Sequence, residues 1–250
     1  MSEVPIEWLD SVGSTNAVAL ARAAKGDHGP LWIAARQQTG GRGRNGRSWS
    51  SPPGNLHASL LLTYSRPLAS IPQLSLVAGI AAFEGLSKLA PSQPVRLKWP
   101  NDLLIGGAKL AGILIEGRLA PGNAAHNVVV GIGVNLAHHP DLEGRQAVSL
   151  AALGVLVRPE TALDHISDAF NHWRGVWAEG AGFAAVRNAW LARGLELGTP
   201  VSVNTGPELL SGRFLGLEAD GAMSLGLPAG GNRRIAFGDV HIGAPPGADD

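Results

Sequence analysis

The stretch that decides the fold runs from Val95 to Ile115, VRLKWPNDLLIGGAKLAGILI. Val95 to Trp99 reads as a strand, and Leu103-Leu104-Ile105 with Lys109 to Ile115 as a hairpin closed by the two-residue turn Gly106-Gly107. Alternation along the second arm sets Ala111, Ile113 and Ile115 on the face of Lys109. That face reads as inward, so Lys109 is expected to be a charge at a buried or cleft edge. Such a charge needs an anionic partner, either from Asn101-Asp102 or from a ligand. Downstream, Asn127 to Asn135 is an apolar, β-branched run that reads as a buried strand. Its end, Gly131-Ile132-Gly133-Val134-Asn135, suits either a turn or the close approach of a flat group.

Outward from this block, helical spacing starts at Pro72 and continues through Leu74, Val77, Ala78, Ala81, Ala82 and Gly85. Asn55 to Tyr64 and Leu31 to Ala35 read as strands, and Ala17 to Lys25 as a short helix with its cap in Ser14-Thr15-Asn16. Pro159 to Gly180 and Phe183 to Arg193 read as two more helices, whose Phe170, Trp173 and Trp177 belong to a core. After Gly194 the texture changes to short strands at 201–203, 209–217, 222–227 and 234–237, punctuated by glycine turns. That pattern predicts a small barrel of SH3-like size. The expected division is residues 1–195 as a catalytic domain, 196–243 as the small domain, and 244–250 as a frayed tail.

Composition narrows the function. Twenty Lys and Arg balance 20 Asp and Glu in 250 residues, which removes the overall basic footprint of a dedicated nucleic-acid binder. No cysteine is present, so disulfides, thiolate zinc sites and a Cys nucleophile are out. The eight histidines show no metal spacing, and no protein-ligated metal is assigned. Glu3, Glu7 and Asp10 precede any apolar run, and the uncharged stretch from Pro67 to Phe83 is too short and polar for a bilayer. A cytoplasmic chain without membrane partners is the expectation. Only Lys25, Lys88, Lys98 and Lys109 are lysine among the basic residues, which marks Lys98 and Lys109 as candidates for positions that need an ammonium.

The richest chemistry lies in the loop between Arg36 and Gly54. Gly40, Gly41, Gly43 and Gly46 let backbone amides approach an anion, while Arg42, Arg44 and Arg47 add forked donors for carboxylate or phosphate. Trp49 can cover the loop or an apolar ligand. An arm that touches nucleic acid fits the same composition. No Gly-Lys-Ser/Thr follows, so this is not a Walker loop.

In order, Ser14-Thr15-Asn16, Gln38, Gly41-Arg42-Gly43-Arg44-Asn45-Gly46-Arg47, Trp49, Ser51-Pro52, Asn55-Leu56, Lys98 to Asp102, Lys109 to Ile113 and Gly131 to Asn135 resemble the biotin protein ligase family. The resemblance implies an α+β fold, with a mixed sheet and flanking helices like those of class II aminoacyl-tRNA synthetases, followed by the SH3-like barrel. It implies that biotin and ATP, with Mg2+, give biotinyl-5′-AMP, and that a lysine of a biotin carboxyl carrier domain then takes the biotinyl group. Ser14, Thr15, Asn16 and Gln38 match the contacts to the ureido head. Arg42, Gly43 and Arg44 match the loop over the carboxyl end and phosphate, and Lys109 the lysine on the reacting oxygens. Arg47, Trp49, Asn101 and Asn135 fall to the nucleotide, and Asp102 to positioning the incoming amine or a metal.

Two positions depart from the family: Asn45 stands where arginine is common and His57 where tyrosine is usual. Thirteen residues before Ser14 leave no room for the helix-turn-helix of bifunctional members, so a form that does not bind DNA is expected. A homodimer stays open. A lipoate- or octanoyl-transferring relative is the rival enzyme, and a non-catalytic nucleic-acid binder using Arg36, Arg42, Arg44 and Arg47 the rival of another class.

Overall fold

The computed structural model describes residues 4–64, 70–119, 126–141 and 146–243; the expected frayed tail lies outside them. In chain order the elements are β1 (Ile6–Val12), α1 (Thr15–Ala24), β2 (Leu31–Gln38), β3 (Leu56–Tyr64), α2 (Leu74–Leu89), β4 (Val95–Lys98), β5 (Asp102–Ile105), β6 (Ala108–Leu119), β7 (His126–Val134), α3 (Pro159–Trp177) and α4 (Phe183–Leu191). They are followed by β8 (Pro200–Asn204), β9 (Leu209–Leu217), β10 (Met223–Gly226), β11 (Asn232–Ile235) and β12 (Asp239–Ile242).

Seven strands form one mixed sheet in the order β1-β2-β3-β7-β6-β5-β4, in which only β1 and β2 run parallel. Side chains alternate across a strand, so β7 serves two environments. Val128, Val130, Ile132 and Val134 enter the large core, which includes α2 and α3 residues such as Ile80, Leu86, Ile166 and Phe170. Val129 turns the other way, into a small cluster with Ile33, Leu61 and α1 residues Ala19 and Ala23. Each such aliphatic side chain contributes about 1.5–3 kcal/mol when fully buried. Gly85 lets α2 and α3 close up, because a Cβ there would lie 2.8 Å from Ile166.

Helix α1 covers only part of its sheet face. Beyond it the residues that share that face are His57 and Ser59 on β3, Gly131 and Gly133 on β7, and Gly112 on β6, in register as Ser59↔Gly131, His57↔Gly133 and Gly112↔Gly133. This glycine-rich area of sheet is the floor of the site.

The structure corrects several expectations. Strand β1 went unread because Glu7, Asp10 and Ser11 interrupt its apolar residues at the sheet edge. A bulge changes the face of Lys109: Leu103 pairs with Ala111 but Leu104 with Lys109, leaving Leu110 extra. One extra residue reverses the alternation. Leu110, Ala111 and Ile113 therefore face the core, while Lys109 sits beside Gly112 on the opposite, site-facing side. Helix α3 stops at Trp177, short of Gly180, where Ala178 takes a left-handed conformation at φ 46°.

The C-terminal strands form an open antiparallel sheet, β11-β10-β9-β8-β12, and not the closed barrel expected. Its edge strand β12 was also missed. Among the described residues β11 and β12 do not pair; the backbone around β12 is instead bonded by Arg44 of the loop after β2 and Lys98 of β4, which donate to the Gly238 and Val240 carbonyls. Its apolar side joins the large core, with Trp190 of α4 against Phe214 at 6.3 Å between ring centroids.

Candidate active site

A cavity of about 1040 Å³ opens over the glycine floor, and every residue assigned from the sequence to substrate or catalysis lines it. That volume lies at the upper end of the range for ligand pockets. One wall is the start of α1. Ser14 occupies the N-cap position, yet its side chain makes no capping bond. The helix end is capped from β2 instead, as the Thr15 backbone amide and hydroxyl donate to Gln38 Oε1 at 2.8 and 3.1 Å. Gln38 Nε2 donates in turn to Ser51 Oγ at 2.8 Å. Ser59 Oγ lies 2.7 Å from Thr15 Oγ1 and 2.5 Å from Asn16 Oδ1, while Asn16 Nδ2 donates to Glu116 at 2.7 Å. A buried polar network of this kind is rigid because each member fixes the next. Gly131 permits it, since a Cβ there would lie 2.3 Å from Asn16 Oδ1.

The opposite wall carries the charges. Asp102 pairs with Lys109 at 2.5 Å and Lys98 at 3.0 Å. The Lys109 contact is a close charge pair, ammonium nitrogen against carboxylate oxygen. Burial pushes the Asp102 carboxyl up, but the two ammonium groups outweigh it and hold the group below the usual range. It is a fixed anion between two cations. Lys109 Nζ also lies 5.3 Å from the centroid of the Trp49 ring, a cation–π distance. The indole rests on Gly133, where a Cβ would come within 2.5 Å of Trp49 Nε1. The flat group that Gly131 and Gly133 admit therefore comes from the protein itself: the Asn16 amide and the Trp49 indole.

Asn101 and Asn135 use their amides to hold the cations in place. Asn135 Nδ2 donates to the Lys109 carbonyl at 3.2 Å, which also accepts from the Val148 amide, while the Lys109 amide donates to the Gln146 carbonyl. Asn101 Nδ2 donates to the Ile113 carbonyl at 2.6 Å, leaving Oδ1 to accept from Arg44 at 3.2 Å. Between Arg42 and Ser48, which form an isolated bridge, the loop makes a tight turn. Asn45 sits there at φ 57°, ψ 30°, a left-handed conformation that asparagine tolerates better than most side chains. Arg47 pairs with Asp239 and Arg42 lines the cavity.

His57 is almost fully buried, with Nε2 3.2 Å from the Pro52 carbonyl. A carbonyl only accepts, so Nε2 carries the proton and Nδ1 the lone pair. Burial pushes this imidazole below its ordinary value, and the Pro52 bond offsets part of the shift.

Sequence reasoning missed Ser59, Glu116, Gly238, Asp239 and Val240, and singled out Lys98 without placing it. Ser59 and Glu116 alternate with core residues on β3 and β6, so a two-residue period could have found them. The contacts of Gly238 and Val240 use backbone carbonyls and leave no mark in the sequence.

A family model described as biotin/lipoate A/B protein ligase matches residues 8–135. Over 242 residues the chain is 41% identical to a biotin–[acetyl-CoA-carboxylase] ligase of Paracoccus denitrificans, covering 94% of this chain and 99% of that one. A bifunctional ligase/repressor of Bacillus subtilis is 32% identical over 243 residues, 94% of this chain and 73% of the relative. The solved biotin protein ligase from Aquifex aeolicus in complex with biotin and ATP superposes with a TM-score of 0.78 at 25% identity, covering 96% and 99% of the two chains. The chain belongs to the biotin protein ligase family.

Proposed function

We infer that this chain is an ATP-dependent ligase that activates biotin and transfers it to a lysine of a biotin carrier domain. The observation that carries the reading is the convergence of Arg42, Arg44, Arg47, Lys98 and Lys109 on a single cavity that is also lined by the uncharged polar side chains of Ser14, Thr15, Asn16 and Gln38. Biotin has matching ends, a neutral ureido head and an anionic carboxylate.

In the first step a carboxylate oxygen attacks the α-phosphorus of ATP, and the bond to the β-phosphate breaks to release pyrophosphate. Two anions must meet, and fixed cations offset their repulsion where charge develops. Lys109, oriented by Asp102 and Trp49, serves the joining oxygens; Arg44 and Arg42 cover the carboxyl and α-phosphate. In the second step the acceptor lysine amine attacks the acyl carbon, the C–O bond to AMP breaks, and the proton leaves with solvent or AMP. Excluding water keeps the mixed anhydride from hydrolysing first. Asp102 positions Lys98 and Lys109, and with both its neighbours cationic it is poorly suited to act as a base.

Magnesium would enter with ATP. The described residues include no group of three or more candidate protein ligands, and Asp102 and Asp239 are already paired with cations. The donor set suits a cation carried on phosphates and water, not a protein cage. No helix among the described residues is long and apolar enough to cross a membrane.

The test is incubation with ATP, Mg2+, an equimolar mixture of biotin, lipoate and octanoate, and the carrier domain of an acetyl-CoA carboxylase, the acceptor class named for the Paracoccus relative. Mass spectrometry should find one biotin on one lysine. Modification by octanoate or lipoate in place of biotin would overturn the reading.

A further inference from the structure

Three cations of the site, two from the arginine loop and one from β4, reach three consecutive residues at the start of β12. Arg44 Nη2 donates to the Gly238 carbonyl at 3.2 Å, Arg47 pairs with the Asp239 carboxylate, and Lys98 Nζ donates to the Val240 carbonyl at 3.1 Å. Arg44 and Lys98 each keep a second bond inside the first sheet, to Asn101 and Asp102. Arg47 shows no such bond to the first sheet, although Asp239 lines the same cavity. We propose that Asp239 is a positioning residue for the ligation reaction: it fixes Arg47, and through it the far arm of the arginine loop, over the nucleotide before substrate arrives. The proposal rests on the ligase reading of this cavity.

What the Arg47–Asp239 pair supplies is geometry and not bond strength. The pair is partly exposed, with side-chain exposures of 39% for Arg47 and 25% for Asp239, and an isolated ion pair of that kind adds little stability. Its effect is to remove freedom from a guanidinium that must otherwise be ordered when an anion binds, a cost that would appear in affinity. A fork held on one edge by a carboxylate still offers its remaining N–H donors to phosphate. The backbone carbonyls of Gly238 and Val240 do the same for Arg44 and Lys98 without a side chain, which leaves Asp239 as the residue a substitution can remove.

Asp239→Asn and Asp239→Glu, compared with wild type, test this in two independent ways. Trypsin cleaves after Arg42, Arg44 and Arg47, so limited proteolysis of the ligand-free protein reads loop fixation whatever the chain catalyses. Cleavage should be about tenfold faster in Asp239→Asn and near wild type in Asp239→Glu. In biotin-dependent pyrophosphate release, Asp239→Asn should raise the KM for ATP about tenfold and lower kcat less than threefold, with Asp239→Glu restoring KM. Unchanged cleavage overturns the contact; faster cleavage with unchanged or lower KM overturns its part in the reaction, leaving a mere brace. Loss of thermal stability without a KM change also overturns it. Should wild type release no biotin-dependent pyrophosphate, the ligase reading fails, and the proposal about the reaction with it; the proteolysis result then bears on the contact alone.

Discussion

The two faces of strand β7 differ in how much side chain they carry toward the strand's end. Toward α2 and α3, Val128, Val130, Ile132 and Val134 fill the core; on the other face Gly131 and Gly133 present bare backbone. The same strand thus holds the fold together on one side and makes room for chemistry on the other. The missing Cβ atoms let Asn16 and Trp49 approach closely, and those two order the polar network and the lysine. Stability and activity should therefore respond to separate substitutions only one residue apart.

The largest effect should come from Lys109→Ala on the site side. Losing a fixed donor to developing charge typically costs about 10²–10³ in kcat, so adenylation should fall by that much while the thermal midpoint stays near wild type. Wild-type turnover in this variant would remove Lys109 from the chemistry. Neighbouring substitutions then break the comparison directly. Ile132→Ala should cost about 2–5 kcal/mol of stability, read by denaturant unfolding, and leave the KM for biotin unchanged. Gly131→Ala should reverse that pattern: its Cβ would displace Asn16, and a shift on the order of 1 Å at a binding group can cost about 10²-fold in kcat/KM. Equal effects of the two on stability and KM would erase the distinction between the faces.

A smaller effect is expected at the rim. Arg44→Gly loses the bonds to Asn101 and Gly238, so biotinyl-AMP should escape about tenfold faster, read as labelling of bystander lysines. The smallest effect is the pH response of His57. Its native pKa lies below the unfolded value of 6.5, so the unfolded state binds the proton first and stability falls as pH drops below 6.5 toward the native pKa. His57→Phe should lose less thermal stability between pH 7 and pH 5 than wild type does; an identical decline would show that His57 is not the group responsible.

Much of the site was legible because it is carried by residue types with few other reasons to cluster. Glycine interleaved with arginine, and lysine within Lys98-Trp99-Pro100-Asn101-Asp102, announced an anion site, and those residues do meet. The orientation of Lys109 was not legible. Alternation holds only while the strands stay in register, and the extra residue Leu110 reverses it. Lys109 was expected beside Ala111 and Ile113, and it instead stands over Gly112. The hydrophobic runs predicted β3, β7 and the helices, but β1 is an edge strand with too little burial to leave a pattern. The open C-terminal sheet had no signature either, because its edge is engaged through backbone atoms.

The claim beneath all of this is that separated cations gather to let two anions react in one enclosed place. A crystal structure with a non-hydrolysable analogue of biotinyl-5′-AMP tests it most directly. The ureido ring should lie beside Thr15, Gln38 and Ser59, with the acyl-phosphate linkage within hydrogen-bond reach of Lys109 Nζ and the Arg44 guanidinium. An analogue bound with its linkage away from both cations would contradict it.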